Sequence, residues 1–354
     1  MNILADASLP GLAQAFPAPF QLTYYHQLDE MIHLLPGQEI LLCRATLKVN
    51  KDLLKNHSLQ YVITATSGTD HLDCKWLATE NIQVINAKGC NARAVADYVV
   101  SCLAYLQLNN FVPGNRAGII GFGHVGTQVA QRLKAAGFTL SIYDPPKALC
   151  KSGSFSSCQL EDLHQVDLLC IHAELHDQKP YATRNLIGKK FLTKLKPGCV
   201  IINAARGGII DEEALINTSA SLNYCTDVYL NEPKVKQEII DTAILCTPHI
   251  AGHSLEAKYI AVAMVSKILH QLVGLPCPVF AKPKSNLIHL DPQRTWQENV
   301  LSIYNPLKET LVLKTAQDKV TTFLNLRKAH QQRHDFCLYA HAGLDKKTKL
   351  MLDK

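Results

Sequence analysis

Six short apolar runs recur between residues 117 and 249: "AGIIGF", "FTLSIYD", "DLLCIHA", "GCVIINA", "LNYCTDV" and "AILCTPH". Most of their positions are apolar, and runs such as "DLLCIHA" and "GCVIINA" are suited to burial on both faces, as in a parallel sheet. Parallel neighbours need crossover connections, and helical stretches such as "VGTQVAQRLKAAG" and "DEEALIN" separate the runs. That alternation predicts a doubly wound α/β domain with helices on both sheet faces. The first ~90 residues repeat the style in "EILLCRA", "LQYVITAT" and "IQVINA", without a glycine-rich fingerprint of their own. At 354 residues the chain exceeds one ordinary core, so more than one domain is expected. "VGLPCPVFAKPKSN" (273–286) is the best linker candidate, and Ser-rich "KSGSFSSC" (151–158) reads as a loop within the nucleotide domain. Beyond the linker, "LKETLVLK" and "KVTTFLNLRKAHQQR" suggest mixed strand and helix character.

Composition excludes several function classes. Apolar residues at 47% and charged residues at 19% describe a globular chain, not a disordered one. The 12 cysteines include no CxxC pair and lie scattered through apolar runs, which fits reduced thiols in a cytoplasmic protein. No apolar run approaches the ~18 residues of a membrane helix, and no signal peptide is expected. Residues 301–354 hold 10 Lys and Arg against 5 Asp and Glu, supplying +5 of the +6 net charge. Without an RNA motif or zinc-finger spacing, that basic tail reads as solvated or subunit-facing surface and no nucleic acid is expected.

"GIIGFGHVG" (118–126) supplies Gly121-x-Gly123-x-x-Gly126 after a strand and at the start of a helix. The first glycine permits the tight turn, the second lets backbone approach a pyrophosphate, and the third lets helix and strand pack. The next strand ends at Asp144, 18 residues after Gly126. A carboxylate there can accept from ribose hydroxyls and repel a 2′-phosphate, which favours NAD over NADP.

Arg206, Glu232 and His249 each follow the carboxyl end of an expected strand, where a doubly wound sheet places its crevice. Hydride exchange between a secondary alcohol and nicotinamide requires a group to take the hydroxyl proton, and histidine does so near neutral pH. A carboxylate such as Glu232 would orient the imidazole and favour its protonated form. Arg206 would clamp a substrate carboxylate with paired N–H donors. A 2-hydroxy acid uses all three.

"TPHIAGH" (247–253) spaces His249 and His253 as a helical metal pair would be spaced. Pro248 and Gly252 disfavour a helix through both, so no metal is expected and the histidines have separate roles. Cys90 reads as a packing residue, and His71 and His172 as structural.

The order GxGxxG, Asp, "NAARGG", "DVYLNEP" and "TPHIAG" resembles the D-2-hydroxyacid dehydrogenases. "RATLKVN", "TATSGTDHLD", "KGCNARAVADYV", "KPYATRNLI", "TPHIAGHSLEAK" and "LRKAHQQRHDFCLY" narrow the likeness to the branch that oxidises a phosphorylated four-carbon acid. The resemblance implies NAD-dependent oxidation of 4-phospho-D-erythronate to 2-oxo-3-hydroxy-4-phosphobutanoate, in vitamin B6 biosynthesis. It further implies a flavodoxin-like substrate domain (1–92 and 256–282), a Rossmann NAD domain (93–255) and a small α+β dimerisation domain (283–354), hence a homodimer. Carried over residue by residue, Arg206, Glu232 and His249 are catalytic. Gly121, Gly123, His124, Val125, Gly126, Asp144, Ala173, Ala204, Asp227 and Gly252 hold NAD. Arg44, Ala45, Thr46, Thr66 and His253 touch the substrate. Ala45, Ala173 and His253 depart from the branch's pattern, which has hydroxyl residues at these positions, and the chain ends somewhat early at "LMLDK". Glycerate or 3-phosphoglycerate as substrate, or NAD sensing without turnover, are the alternatives.

Overall fold

The computed structural model describes residues 1–55, 57–150, 155–279, 287–330 and 333–354. Residues 151–154 of the Ser-rich stretch and 280–286 of the linker candidate lie outside that set. The chain divides into two compact units, one of Met1–Asn91 with Ser254–Ser285 and one of Ala92–His253 with Asn286–Lys354.

The first unit contains a five-stranded sheet: β1 (Asn2–Asp6), β2 (Gln21–Tyr25), β3 (Ile40–Cys43), β4 (Tyr61–Thr64) and β5 (Gln83–Asn86). Every pairing is parallel, and the order β2-β1-β3-β4-β5 is the flavodoxin-like one. The strands β3 to β5 coincide with the three runs expected from the sequence. "NILAD" and "QLTYY" form the two further strands: β1 is buried inside the sheet, while β2 sits at its edge and mixes polar with apolar residues. One sheet face is covered by the helix Leu255–Leu272, which brings Ala261, Val262, Val265 and Leu269 into the core.

The second unit contains six parallel strands: β6 (Arg116–Ile120), β7 (Thr139–Tyr143), β8 (Leu168–Ile171), β9 (Val200–Asn203), β10 (Asn223–Thr226) and β11 (Ala243–Cys246). All six coincide with the six apolar runs expected between residues 117 and 249. Their order is β11-β10-β9-β8-β6-β7. The chain runs from β6 out to β7 and then returns to the other side of β6 with β8. That reversal opens a crevice beyond the carboxyl ends of β6 and β8.

The C-terminal segment differs from expectation. Among the described residues it is helical, with helices Trp296–Ile303, Leu307–Thr315, Lys319–Ala329 and Lys346–Met351. Within "LKETLVLK" and "KVTTFLNLRKAHQQR", expected to mix strand and helix, residues 307–314 and 319–329 are helical instead, and residues 331–332 lie outside the described set. Their β-branched residues suggested strand, but Asp318 caps Lys319–Ala329 by accepting from the Thr321 N–H, and Phe323 and Leu313 find a core to enter. Trp296, Val300, Phe336, Leu344 and Met351 pack with the helix Ala92–Leu108 in the same core as β6, β8 and β9. Thr310 accepts from the Cys246 N–H at 3.0 Å and donates to the Cys246 carbonyl at 3.1 Å, fastening the segment to the end of β11.

A buried ion pair ties these parts together. Arg132, on the helix His124–Ala136, donates to Asp97 Oδ1 at 2.9 Å, with both side chains 1% exposed. Asp97 Oδ2 accepts from the Phe336 N–H at 2.9 Å. Burial pushes the Asp97 carboxyl up to about 6, against the pull of Arg132 and that N–H. Removing one partner strands the other charge, which costs ~3–5 kcal/mol. Asp97→Ala should therefore lose stability of that order in urea unfolding at pH 8, where Asp97 is ionised; a loss under ~1 kcal/mol would contradict the assignment.

Candidate active site

The glycine turn follows β6 directly. Gly121 has φ +88°, and a Cβ there would come within 2.5 Å of the Ala173 nitrogen. A Cβ on Gly126 would lie 2.0 Å from the Gly121 carbonyl oxygen. These two glycines serve the close packing of turn, helix and β8. Gly123 is different: a Cβ there meets nothing within 4 Å. It precedes the helix His124–Ala136, whose N-terminus no side chain caps. His124 is exposed and Val125 half-buried on the first turn. An open approach to uncapped N–H groups fits a pyrophosphate, so the residues present suit a dinucleotide.

Asp144 stands at the end of β7, and its carboxylate orders the turn as well as facing outward. Oδ2 accepts from the Phe122 N–H at 2.7 Å and Oδ1 from the Lys147 N–H at 3.0 Å. Lys147 lies 4.4 Å over the Phe122 ring. Second lone pairs on the carboxylate oxygens remain suited to ribose hydroxyls. Across the crevice, the His172 N–H donates to the Ile120 carbonyl at 2.7 Å. Burial pushes the His172 imidazole down to about 3, so it is neutral at ordinary pH. Its neighbour Ala173 is the residue that Gly121 approaches.

Arg206 follows β9 in a turn braced by Asn203, whose Oδ1 accepts from the Ala205 N–H at 3.2 Å and whose Nδ2 donates to the Arg206 carbonyl. Ala204 is half-buried in the same turn. Gly207 went unnoticed in the sequence, yet a Cβ there would lie 2.0 Å from the Tyr229 carbonyl. Its doublet in "NAARGG" is the signal that could have revealed it.

His249 and Glu232 meet. The imidazole Nδ1 lies 2.7 Å from Glu232 Oε2, and Glu232 Oε1 accepts from the Tyr229 N–H at 2.9 Å. Burial raises the Glu232 carboxyl, but the charge and hydrogen bond of His249, the Tyr229 N–H and the charge of Arg327 together hold it below its usual value. His249 is one third exposed, with φ +55°. That left-handed conformation costs a side-chain-bearing residue ~1–2 kcal/mol, and the surrounding bonds must supply it.

Asp227 supplies much of it. The side chain is 1% exposed; Oδ1 accepts from Thr247 Oγ1 at 2.7 Å and from the Ile250 N–H at 2.8 Å, and Oδ2 from the Ala251 N–H at 2.7 Å. The carboxylate thus organises the loop that carries His249. The same loop is irregular and not helical, so the four-residue spacing of His249 and His253 does not stack them on one face. His253 instead turns its ring to within 6.4 Å of His330. Gly252 is half-buried between them in sequence.

In the first unit, Arg44 follows β3 and pairs with Asp6 at 2.7 Å. Ala45 and Thr46 are exposed beside it. Thr66 donates to the Gly68 carbonyl at 2.9 Å, and its hydroxyl lies 2.8 Å from that of Thr64, which also meets His71 Nε2 at 2.9 Å. Lys258 adds a half-buried cation that the sequence reading did not single out: burial and then the charge of Arg44 lower its pKa. Cys90 is buried, with its thiol pushed up to about 12, which fits packing and not nucleophilic chemistry.

The family model for the NAD-binding domain of D-isomer-specific 2-hydroxyacid dehydrogenases matches residues 106–251. Among solved structures, the cofactor-bound 3-phosphoglycerate dehydrogenase of Entamoeba histolytica superposes with a TM-score of 0.65 at 23% identity, covering 79% of this chain and 99% of that one. The erythronate-4-phosphate dehydrogenase of Coxiella burnetii is 33% identical, covering 95% of this chain and 93% of its own. That of Legionella pneumophila is 57% identical over 351 residues, covering 99% of this chain and all of its own. Residues 106–251 are accordingly an NAD-binding domain, and the chain belongs to the erythronate-4-phosphate dehydrogenase family.

Proposed function

We propose that the protein oxidises 4-phospho-D-erythronate to 2-oxo-3-hydroxy-4-phosphobutanoate with NAD, a step of pyridoxal phosphate biosynthesis. The observation that carries this reading is the Glu232–His249 pair, held at 2.7 Å in the NAD-binding unit of a chain 57% identical to a named relative. Bound NAD supplies the acceptor for the hydride that leaves the substrate's C2. Glu232 occupies Nδ1 of His249, which leaves Nε2 to take the C2 hydroxyl proton. Arg206 receives the carboxylate of the acid and steadies the charge on its C2 oxygen. The phosphate falls to Arg44, with Thr46, Thr66 and the backbone at Ala45, and Lys258 adds a second cation. His253 is a further substrate contact. Gly123, His124 and Val125 receive the pyrophosphate, Asp144 the ribose, and Ala173, Ala204 and Gly252 line the cofactor's path, while Asp227 acts through the loop it organises.

The exposed Leu311, Val312 and Leu324 on neighbouring helices of the C-terminal segment support a homodimer formed there with a second copy. Sedimentation should show a dimer that Leu311→Lys with Leu324→Lys dissociates; a dimer unaffected by both would refute that surface.

Purified enzyme given NAD should prefer 4-phosphoerythronate to erythronate, glycerate and 3-phosphoglycerate. Arg44→Ala and His253→Phe should raise KM for it with little change in kcat. Preference for an unphosphorylated acid would overturn the substrate assignment, and no turnover of any acid would favour a sensor.

His249→Ala should lower kcat by ~10²–10⁴-fold and leave NAD affinity nearly unchanged, since the pyrophosphate contacts survive. Oxidation needs a neutral imidazole as base, and the Glu232 carboxylate stabilises the cation. Glu232→Gln should therefore move the acid limb of the kcat/KM profile to lower pH; an unmoved limb would rule out that coupling.

A further inference from the structure

The His249 loop is held from two sides, and the second side belongs to the C-terminal segment. Asp227 takes the N–H groups of Ile250 and Ala251, while Tyr229 donates its hydroxyl to the Thr247 carbonyl at 3.0 Å. The carbonyl of Ala251 points the other way, and Arg333 donates to it through Nη2. The same nitrogen donates to the Ala94 carbonyl at 3.1 Å, at the start of the helix Ala92–Leu108. Arg333 is 8% exposed, and its guanidinium lies 5.0 Å over the Tyr304 ring. Its Nε and Nη1 are buried without hydrogen-bond partners.

A mere anchor of the segment would be expected to satisfy a buried guanidinium more fully. Leaving two N–H-bearing nitrogens unpaired in the interior costs free energy, whereas an apolar residue could fill the place at none of that cost. What Arg333 achieves with the bonds it does make is specific: it grips one loop carbonyl two residues from His249 and one helix carbonyl, and so fixes the distance between them. The neighbouring Asp335–Phe336 turn is itself pinned, since Phe336 N–H donates to Asp97, which pairs with Arg132 on the helix of the glycine turn. The glycine turn and the His249 loop are thereby referred to one buried frame.

We propose that Arg333 is a positioning residue for His249, holding the Ala251 carbonyl so that the loop keeps its left-handed turn and the imidazole stays on Glu232. The charge of Arg327, on the helix Lys319–Ala329 of the same segment, also helps to hold the Glu232 carboxyl down. The C-terminal segment thus shapes the proton-transfer pair from within its own chain, whatever else it binds. This rests on the reading of His249 as the proton acceptor.

The test uses full-length Arg333→Lys and Arg333→Ala. A misplaced base should lower kcat by about 10- to 100-fold, more in Ala than in Lys, with NAD affinity within about twofold of wild type. Guanidinium ion at a non-denaturing concentration should restore part of the Ala variant's kcat. The acid limb should move toward lower pH as in Glu232→Gln, and the Arg333→Lys, Glu232→Gln double variant should fall short of the product of the two single effects. In the protein without cofactor, the His249 imidazole resonances should shift in Arg333→Lys. An unchanged kcat, limb and imidazole signal in a folded Arg333→Lys protein would overturn the proposal. If Arg333→Ala fails to fold, Arg333→Lys alone decides by the same readouts. Should His249→Ala itself retain turnover, the underlying reading fails instead, and the imidazole signal still reports whether Arg333 sets that ring.

Discussion

Asp227 carries a carboxylate that water cannot reach, and three donors from residues 247–251 converge on it. Burial raises its pKa, opposed by the charge of His249 and by those bonds. A buried carboxylate of this kind is tolerable only when its lone pairs are met, so the loop must fold around it. That requirement turns the chain sharply after Pro248 and leaves His249 in a conformation its side chain does not favour. The resulting geometry puts Nδ1 on Glu232. The site follows from satisfying one buried charge.

The same logic separates the three glycines. Two are required by the protein's own packing, as the Cβ positions on Gly121 and Gly126 would collide with backbone. The middle one is not, since nothing in the chain crowds Gly123. A position that stays open at an uncapped helix terminus is explained by what approaches from outside, and a pyrophosphate meets that description. Asp144 also holds this turn, because the Phe122 N–H it accepts belongs to the turn itself.

Much of this was legible in the sequence because the second unit obeys local rules. Its six strands are short apolar runs, and the fingerprint lies within one strand–turn–helix. Arg206, Glu232 and His249 stand after β9, β10 and β11, where linear order alone places them. The failures share a cause. β2 is an edge strand with a mixed surface, so period and polarity gave no signal. The C-terminal helices read as mixed because Val320, Thr321, Thr322 and Val312 favour strands, and what overrides them is a cap and a distant core. Asp227 draws its hydrogen bonds from residues 20 or more positions away, a pairing that linear order does not show.

Arg333 marks the limit of linear reading. It sits in a basic segment whose charge reads as solvated surface, and within "LRKAHQQRHDFCLY" no local pattern marks it as more buried than Arg327 or Lys328. Only the fold reveals that it is buried, that it spans from Ala94 to Ala251, and that the pair it braces is on a different strand connection. Here the loop bearing the histidine is also fastened to a helical segment that packs into the same core as the sheet. Phe336 and Arg333 of that segment both hold the helix Ala92–Leu108, through Asp97 and the Ala94 carbonyl, and Arg333 also holds the Ala251 carbonyl of the histidine loop.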